Sequence, residues 1–189
     1  MRFALLPVAA VALALLSACS QQEEVAMPDP FPLDAEAIGR YCGMNVLEHD
    51  GPKGQIILTR LPEPIWFSSA RDAVAFTMLP DEPKNIAAIY VSDMAVAASW
   101  EQPGADNWID AKTAYYVLHS KQQGGMGVAE TVPFSTEAAA RAFVDANGGE
   151  IVRFADIPLD YVLGGADDYD DSDAGPVGAI GPDPNQTRD

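Results

Sequence analysis

Two short stretches carry the groups best suited to chemistry. Cys42-Gly43-Met44 sets a thiol and a thioether one residue apart, and Gly124-Gly125-Met126-Gly127 sets a methionine among three glycines. On an extended backbone, residues two apart share a face with Cα atoms about 7 Å apart, and Gly43 permits a bend that lets both sulfurs converge. A thiolate and a thioether are soft donors, which select Cu(I) over Mg, Ca or Mn. Zinc favours Cys and His pairs that this sequence lacks. Without a metal, Cys-Gly-Met reads as ordinary strand packing with Cys42 a small buried hydrophobe, and the Gly-flanked Met126 as an incidental residue at a hairpin tip. His49, beside Glu48 and before Asp50-Gly51-Pro52, is an auxiliary or second-metal ligand, or else an exposed loop histidine. His119 lies shortly before the Gly-Gly-Met loop; a structural role is favoured, although the hairpin can bring it near Met126. Met78 and Met94 read as core fillers, and Trp66, Trp100 and Trp108 as core packing.

The setting of these sulfurs sharpens the choice. Met1 and Arg2 precede an apolar run from Phe3 to Leu16, then Leu16-Ser17-Ala18-Cys19. This is a secretory leader, too short to span a bilayer comfortably. Its end resembles a bacterial lipobox, which implies cleavage before Cys19 and lipidation of that thiol, anchoring a soluble domain to a membrane of the periplasm. Ser20 after Cys19 favours the outer membrane. With Cys19 consumed, Cys42 is the one free thiol of the mature chain, in a compartment where disulfides form. A bound soft metal would mask it from oxidation.

Charge excludes other classes. The 189 residues hold 28 Asp and Glu against 11 Lys and Arg, a formal net charge of −17 that falls to about −18 once Arg2 leaves with the leader. Such a field repels nucleic acid and favours cations or basic partners. The enzyme alternative is a thiol-dependent one, with Cys42 as nucleophile and His49 or His119 as base; it needs the imidazole within hydrogen-bond reach of the thiol and a third group to orient it. Haem and dithiol redox handling lack their Cys-x-x-Cys-His and Cys-x-x-Cys signatures. Gly51-Pro52-Lys53-Gly54 lacks the spacing and the Ser/Thr of a P-loop.

The elements that position these residues follow from an internal duplication. Phe67-Ser68-Ser69-Ala70-Arg71-Asp72-Ala73-Val74-Ala75-Phe76 and Phe134-Ser135-Thr136-Glu137-Ala138-Ala139-Ala140-Arg141-Ala142-Phe143 share the pattern Phe-Ser-[Ser/Thr]-x-x-x-Ala-x-Ala-Phe. Each opens with a residue able to cap a helix and continues in an Ala-rich run. Strand-like stretches flank both: 55–60, 65–67 and 85–91 around the first, and 115–120, 128–132 and 150–154 around the second. The expected fold is α+β, two tandem homologous ββαβ units, each a small sheet with one helix. The organisation is a leader (1–18), a disordered tether (19–37), a first unit with Cys-Gly-Met (38–100), a second unit with the Gly-Gly-Met-Gly loop (101–163), and a disordered acidic tail (164–189). The aspartates of the tail lack the spacing of a Ca²⁺ loop.

Cys42-Gly43-Met44, followed by Glu48-His49 and Gly51-Pro52-Lys53-Gly54-Gln55-Ile56, then Gly124-Gly125-Met126-Gly127, on a chain with a lipobox, resembles the NosL family of nitrous oxide reductase accessory proteins. The resemblance covers Arg40 to Tyr161. It implies two homologous ββαβ units and Cu(I) bound for delivery to the reductase while its copper–sulfide centre is assembled. It places the ligands on Cys42 and Met44, with Met126 third, and implies the reductase's associated membrane transporter complex as intermediary. The acidic tail falls outside the family pattern.

Overall fold

Residues 26–164 are described by a computed structural model of the chain; Cys19 and the acidic tail beyond Gly164 lie outside them. Strands β1 (Gly54–Leu58) and β2 (Ile65–Phe67), helix α1 (Ala70–Met78) and strand β3 (Ile86–Ser92) make the first ββαβ unit. A short strand, β4 (Trp108–Asp110), leads to the second unit: β5 (Tyr115–Leu118), β6 (Val132–Phe134), α2 (Glu137–Asn147) and β7 (Glu150–Arg153), followed by the one-turn helix α3 (Leu159–Leu163). The two antiparallel sheets have the orders β2-β1-β3-β4 and β6-β5-β7. The first strand of each unit is therefore central, with Ile56 opposite Ile65 and Ile89 in one sheet and Tyr116 opposite Pro133 and Val152 in the other. This is the expected α+β architecture of paired ββαβ units. The helix starts agree as well: the Ser69 side chain accepts from Asp72 N–H, and Thr136 from Ala139 N–H, each satisfying a free donor of the first turn.

The two helices, alike in sequence, sit differently. Helix α1 lies between the sheets: Ala70, Ala73, Val74 and Phe76 share one core with Ile56, Ile89 and Val91 of the first sheet and with Tyr116 and Leu118 of the second. Helix α2 covers a face of the second sheet, where Ala140, Phe143 and Val144 meet Val117, Val132 and Phe134. Arg71 ties α1 to the second unit, donating to the carbonyl oxygens of Ala129 (3.2 Å), Val162 (3.1 Å) and Gly164 (2.5 Å). Met78 and Met94 pack against the cores, and Trp66 lies near Trp108 while Trp100 stacks on Phe143.

Three expectations are corrected. Residues 26–37 are not part of a free tether. The face of the first sheet turned away from α1 carries Ile57, Ala88 and Tyr90 and would be left in water. The Pro-rich segment covers it, using backbone groups that no regular element employs. Gln55 exchanges two hydrogen bonds with the backbone of Phe31 (2.8 and 2.9 Å), Tyr90 donates to Pro28 O (2.7 Å), and Leu33 N–H donates to Ala105 O (2.9 Å). The boundary at residue 100 also moves, because β4 pairs with β3, Ile109 opposite Val91, and so belongs to the first sheet. Finally, the strand expected at 128–132 is displaced to Val132–Phe134. Residues 128–131 form instead the returning arm of a loop, bridged between Gln123 and Ala129, where Glu130 turns inward to accept from the N–H groups of Arg71 and Thr131 (both 2.8 Å).

Candidate metal centre

Cys42 sits in a tight turn rather than on a strand. Gly39 N–H donates to Met44 O (2.9 Å), Gly43 N–H donates to Gly39 O (2.9 Å), and Ile38 bridges to Asn45. Gly43 adopts φ +67°, a left-handed conformation that favours glycine, so the bend expected from its presence is there while the extended backbone is not. The turn is pinned to the fold from outside. Arg40 N–H donates to Trp66 O (2.8 Å), Tyr41 donates to Glu82 (3.1 Å) and packs edge-on against Phe67, and Arg40 pairs with Glu82 (3.3 Å). Burial and the Glu82 carboxylate push the Tyr41 phenol well above its ordinary value.

Two side chains from other segments meet the thiol. Ser68 Oγ, at the step from β2 into α1, lies 3.0 Å from Cys42 Sγ, and His49 Nε2 lies 3.9 Å from it. His49 is no exposed loop residue: it is 8% exposed and closes the 3₁₀ turn Val46–Glu48, whose start Asn45 caps. Met44, on the same turn as Cys42, is 41% exposed, and Met126 is 47% exposed. Both thioethers are accessible to a ligand from solvent. The half-buried thiol is closely approached on the Gly39 side, where a Cβ would lie 2.6 Å from both Cys42 Sγ and Ser68 Oγ.

The Gly-flanked loop comes from the other unit and rests on this one. Gly124 N–H donates to Val128 O and Gly127 N–H to Gly124 O, forming a tip that carries Met126. Gly125 lies directly on the His49 segment; a Cβ there would come 2.6 Å from Asp50 N and 2.8 Å from Asp50 O and His49 Cβ. Thus His49 approaches the Cys42 thiol of the first unit with its ring and meets the Met126 loop of the second at Gly125, which makes it the junction between them. His119 is elsewhere. It takes φ +55° just after β5, with its ring edge-on to Tyr161 (4.7 Å) and its Nε2 3.8 Å from Glu150.

Beneath the junction lie two buried charges that sequence reasoning did not single out. Lys53 is 2% and Glu130 1% exposed. Lys53 donates to His49 O and, at 3.4 Å, to Ser68 O. Burial lowers its ammonium to about 8 against the pull of Glu130 and Asp50. Burial raises Glu130 to about 7, opposed by the Ser69 hydroxyl and by the N–H groups of Arg71 and Thr131. The Asp72 carboxyl is raised by burial, with Arg71 and His49 opposing. The sequence signals were present but slight: a lysine between Pro52 and Gly54 just before an apolar strand, and a lone acid, Glu130, in the otherwise uncharged stretch 128–132.

Among the described residues no group of three or more His, Cys, Asp and Glu side chains could hold a metal ion. A thiol with an imidazole beside it, and exposed thioethers on both ββαβ units, are donor types that suit a soft metal ion. The chain belongs to the NosL family, whose family model matches residues 30–162. It is 50% identical over 156 residues to the copper-binding lipoprotein NosL of Achromobacter cycloclastes, covering 82% of this chain and 80% of the relative. It is 33% identical over 143 residues to the protein of the same name from Stutzerimonas stutzeri, covering 75% and 73%. The fold matches the crystal structure of the copper chaperone NosL from Shewanella denitrificans with a TM-score of 0.64 at 31% identity, over 68% of this chain and 95% of that one.

Proposed function

We propose that this chain is a periplasmic metallochaperone that binds Cu(I) through Cys42, Met44 and Met126, with His49 alongside, and gives it up for assembly of the copper–sulfide centre of nitrous oxide reductase. The observation that supports this is the docking of Gly125, next to Met126, on His49–Asp50, while the imidazole of the same His49 lies 3.9 Å from the Cys42 thiol. Thiolate and thioether donors match Cu(I), and the similar proteins above are named for copper binding or as a copper chaperone. Exposed Met44 and Met126 suit hand-over: an incoming ligand can attack an open, low-coordinate ion before the old ligands leave, with no acid–base step. The reductase and its associated membrane transporter complex are the partners the family membership supports. Lipidation at Cys19, with Ser20 favouring the outer membrane, would hold the protein where that hand-over occurs.

The alternative is a thiol-dependent enzyme, favoured by the approach of His49 to Cys42 at 3.9 Å. It assigns no role to Met44 or Met126. Anaerobic titration of the reduced mature protein with Cu(I) against a chromophoric chelator separates the two. Wild type should hold one Cu(I) far more tightly than Cys42→Ala, with Met44→Ala and Met126→Ala in between. Equal affinity of wild type and Cys42→Ala would return the enzyme to first place.

A further inference from the structure

The two backbone carbonyls that Lys53 holds are those of His49 and Ser68. The side-chain polar atoms within hydrogen-bonding distance of Cys42 Sγ among the described residues belong to those same two residues, Ser68 Oγ at 3.0 Å and His49 Nε2 at 3.9 Å. One ammonium therefore joins the two segments, one from the 3₁₀ turn and one from the β2–α1 step, that close around the thiol. Lys53, the residue just before β1, is itself fixed: its N–H donates to Ser92 Oγ (3.0 Å) and its carbonyl accepts from Ser92 N–H (3.0 Å) at the end of β3. The cation is thus built into the rigid sheet and reaches outward to the walls of the site.

We propose that Lys53 is a positioning residue of the Cys42 centre, setting the His49 imidazole and the Ser68 hydroxyl against the thiol by holding their backbones. This rests on the Cu(I)-binding reading above. A long buried cation on two carbonyls fixes both segments at once, which hydrogen bonds within either segment do not. Glu130 and Asp50 face the ammonium and balance its charge, and Glu130 also lies against Gly124 at the root of the Met126 loop. Residues that orient metal ligands typically change affinity ten- to hundredfold when replaced, and that is the effect expected here.

The test is a cycle of Cu(I) affinities by chelator competition on the mature protein. Lys53→Met should weaken binding about ten- to hundredfold while the folded spectrum is kept. In a His49→Ala/Ser68→Ala background the same change should cost less than about threefold, because the residues it acts through are gone. An undiminished loss in that background would show a general structural effect and overturn the proposal, as would unchanged affinity in Lys53→Met. Should Lys53→Met not fold, Lys53→Met/Glu130→Gln removes both buried charges and enters the same cycle. Independently of any variant, the Lys53 Nζ resonance of wild type should shift when Cu(I) is added; a resonance unmoved by stoichiometric Cu(I) also overturns it. Loss of Cys42-dependent binding in wild type would instead bring down the metallochaperone reading itself. Cys42-dependent binding that ignores Lys53 brings down only this inference.

Discussion

Replacing Gly125 by Ala tests whether the two units must touch to make the site. The added Cβ would lie 2.6 Å from Asp50 N, against a backbone that cannot rotate away, and ordinary contact begins at 3.4 Å, so the loop must retreat by roughly 0.8 Å. Stability changes little. Overpacking costs about 1–3 kcal/mol, the exposed loop can yield, and alanine recovers about 0.4–1 kcal/mol through the unfolded chain. Metal binding is less forgiving, since a metal–sulfur bond of about 2.3 Å does not stretch by that amount. Cu(I) affinity of Gly125→Ala should therefore fall as far as that of Met126→Ala, and Gly125→Ala should add nothing in the Met126→Ala background. Gly127→Ala is the control: nothing lies within 4 Å of its Cβ, and its φ of +72° brings only backbone strain of roughly 1–2 kcal/mol. Chelator competition with melting curves alongside reads all four proteins. A folded Gly125→Ala that binds Cu(I) like wild type would refute the idea that Met126 reaches the metal from a docked loop.

Other outcomes follow from the same geometry. Because burial raises Glu130 to about 7, the folded state holds its proton more tightly than the unfolded chain. The stability this contributes is full below pH about 4.5 and is lost as pH rises through about 7. The melting temperature of wild type should thus drop relative to Glu130→Gln across that window, and parallel curves would contradict the assignment. Ala73→Asp and Ala140→Asp both bury a charge, at a cost of about 3–5 kcal/mol; the first should be the worse, since Ala73 lies between the sheets and Ala140 under an outer helix. Urea melts decide, and equal tolerance of Ala73→Asp would unsettle the sandwiched position of α1. Cys19→Ser should yield an exported protein that partitions into the aqueous phase yet binds Cu(I); wild type already found there would remove the anchor.

The duplicated Phe-Ser helix starts made the fold legible, because caps, Ala-rich helices and short apolar strands are local signals that both copies repeat. The residues at the thiol were partly legible: Cys42, Met44 and the Gly-flanked Met126 stand out by type and spacing, and His49 by proximity. Ser68 stood out only as one of two serines, with Ser69, able to cap the helix, since its 3.0 Å approach to Cys42 crosses 26 residues of chain. Lys53 and Glu130 were hidden for the same reason; their partners lie in other segments, and a lone charge near an apolar strand has no period to betray it. The covering segment at 26–37 escaped because an extended Pro-rich stretch looks alike whether it is free or laid over a sheet face such as that of Ile57 and Tyr90. The different placement of α1 and α2 was equally invisible, since two similar helices carry no mark of which one the other unit will bury.

X-ray absorption at the copper edge of the Cu(I)-loaded mature protein tests the central claim most directly. Wild type should show a low-coordinate Cu(I) dominated by sulfur, with the sulfur count reduced in Cys42→Ala and again reduced, separately, in Met44→Ala and Met126→Ala. A wild-type spectrum dominated by nitrogen or oxygen, or a sulfur shell that survives Cys42→Ala unchanged, would contradict copper binding at the junction of the two units.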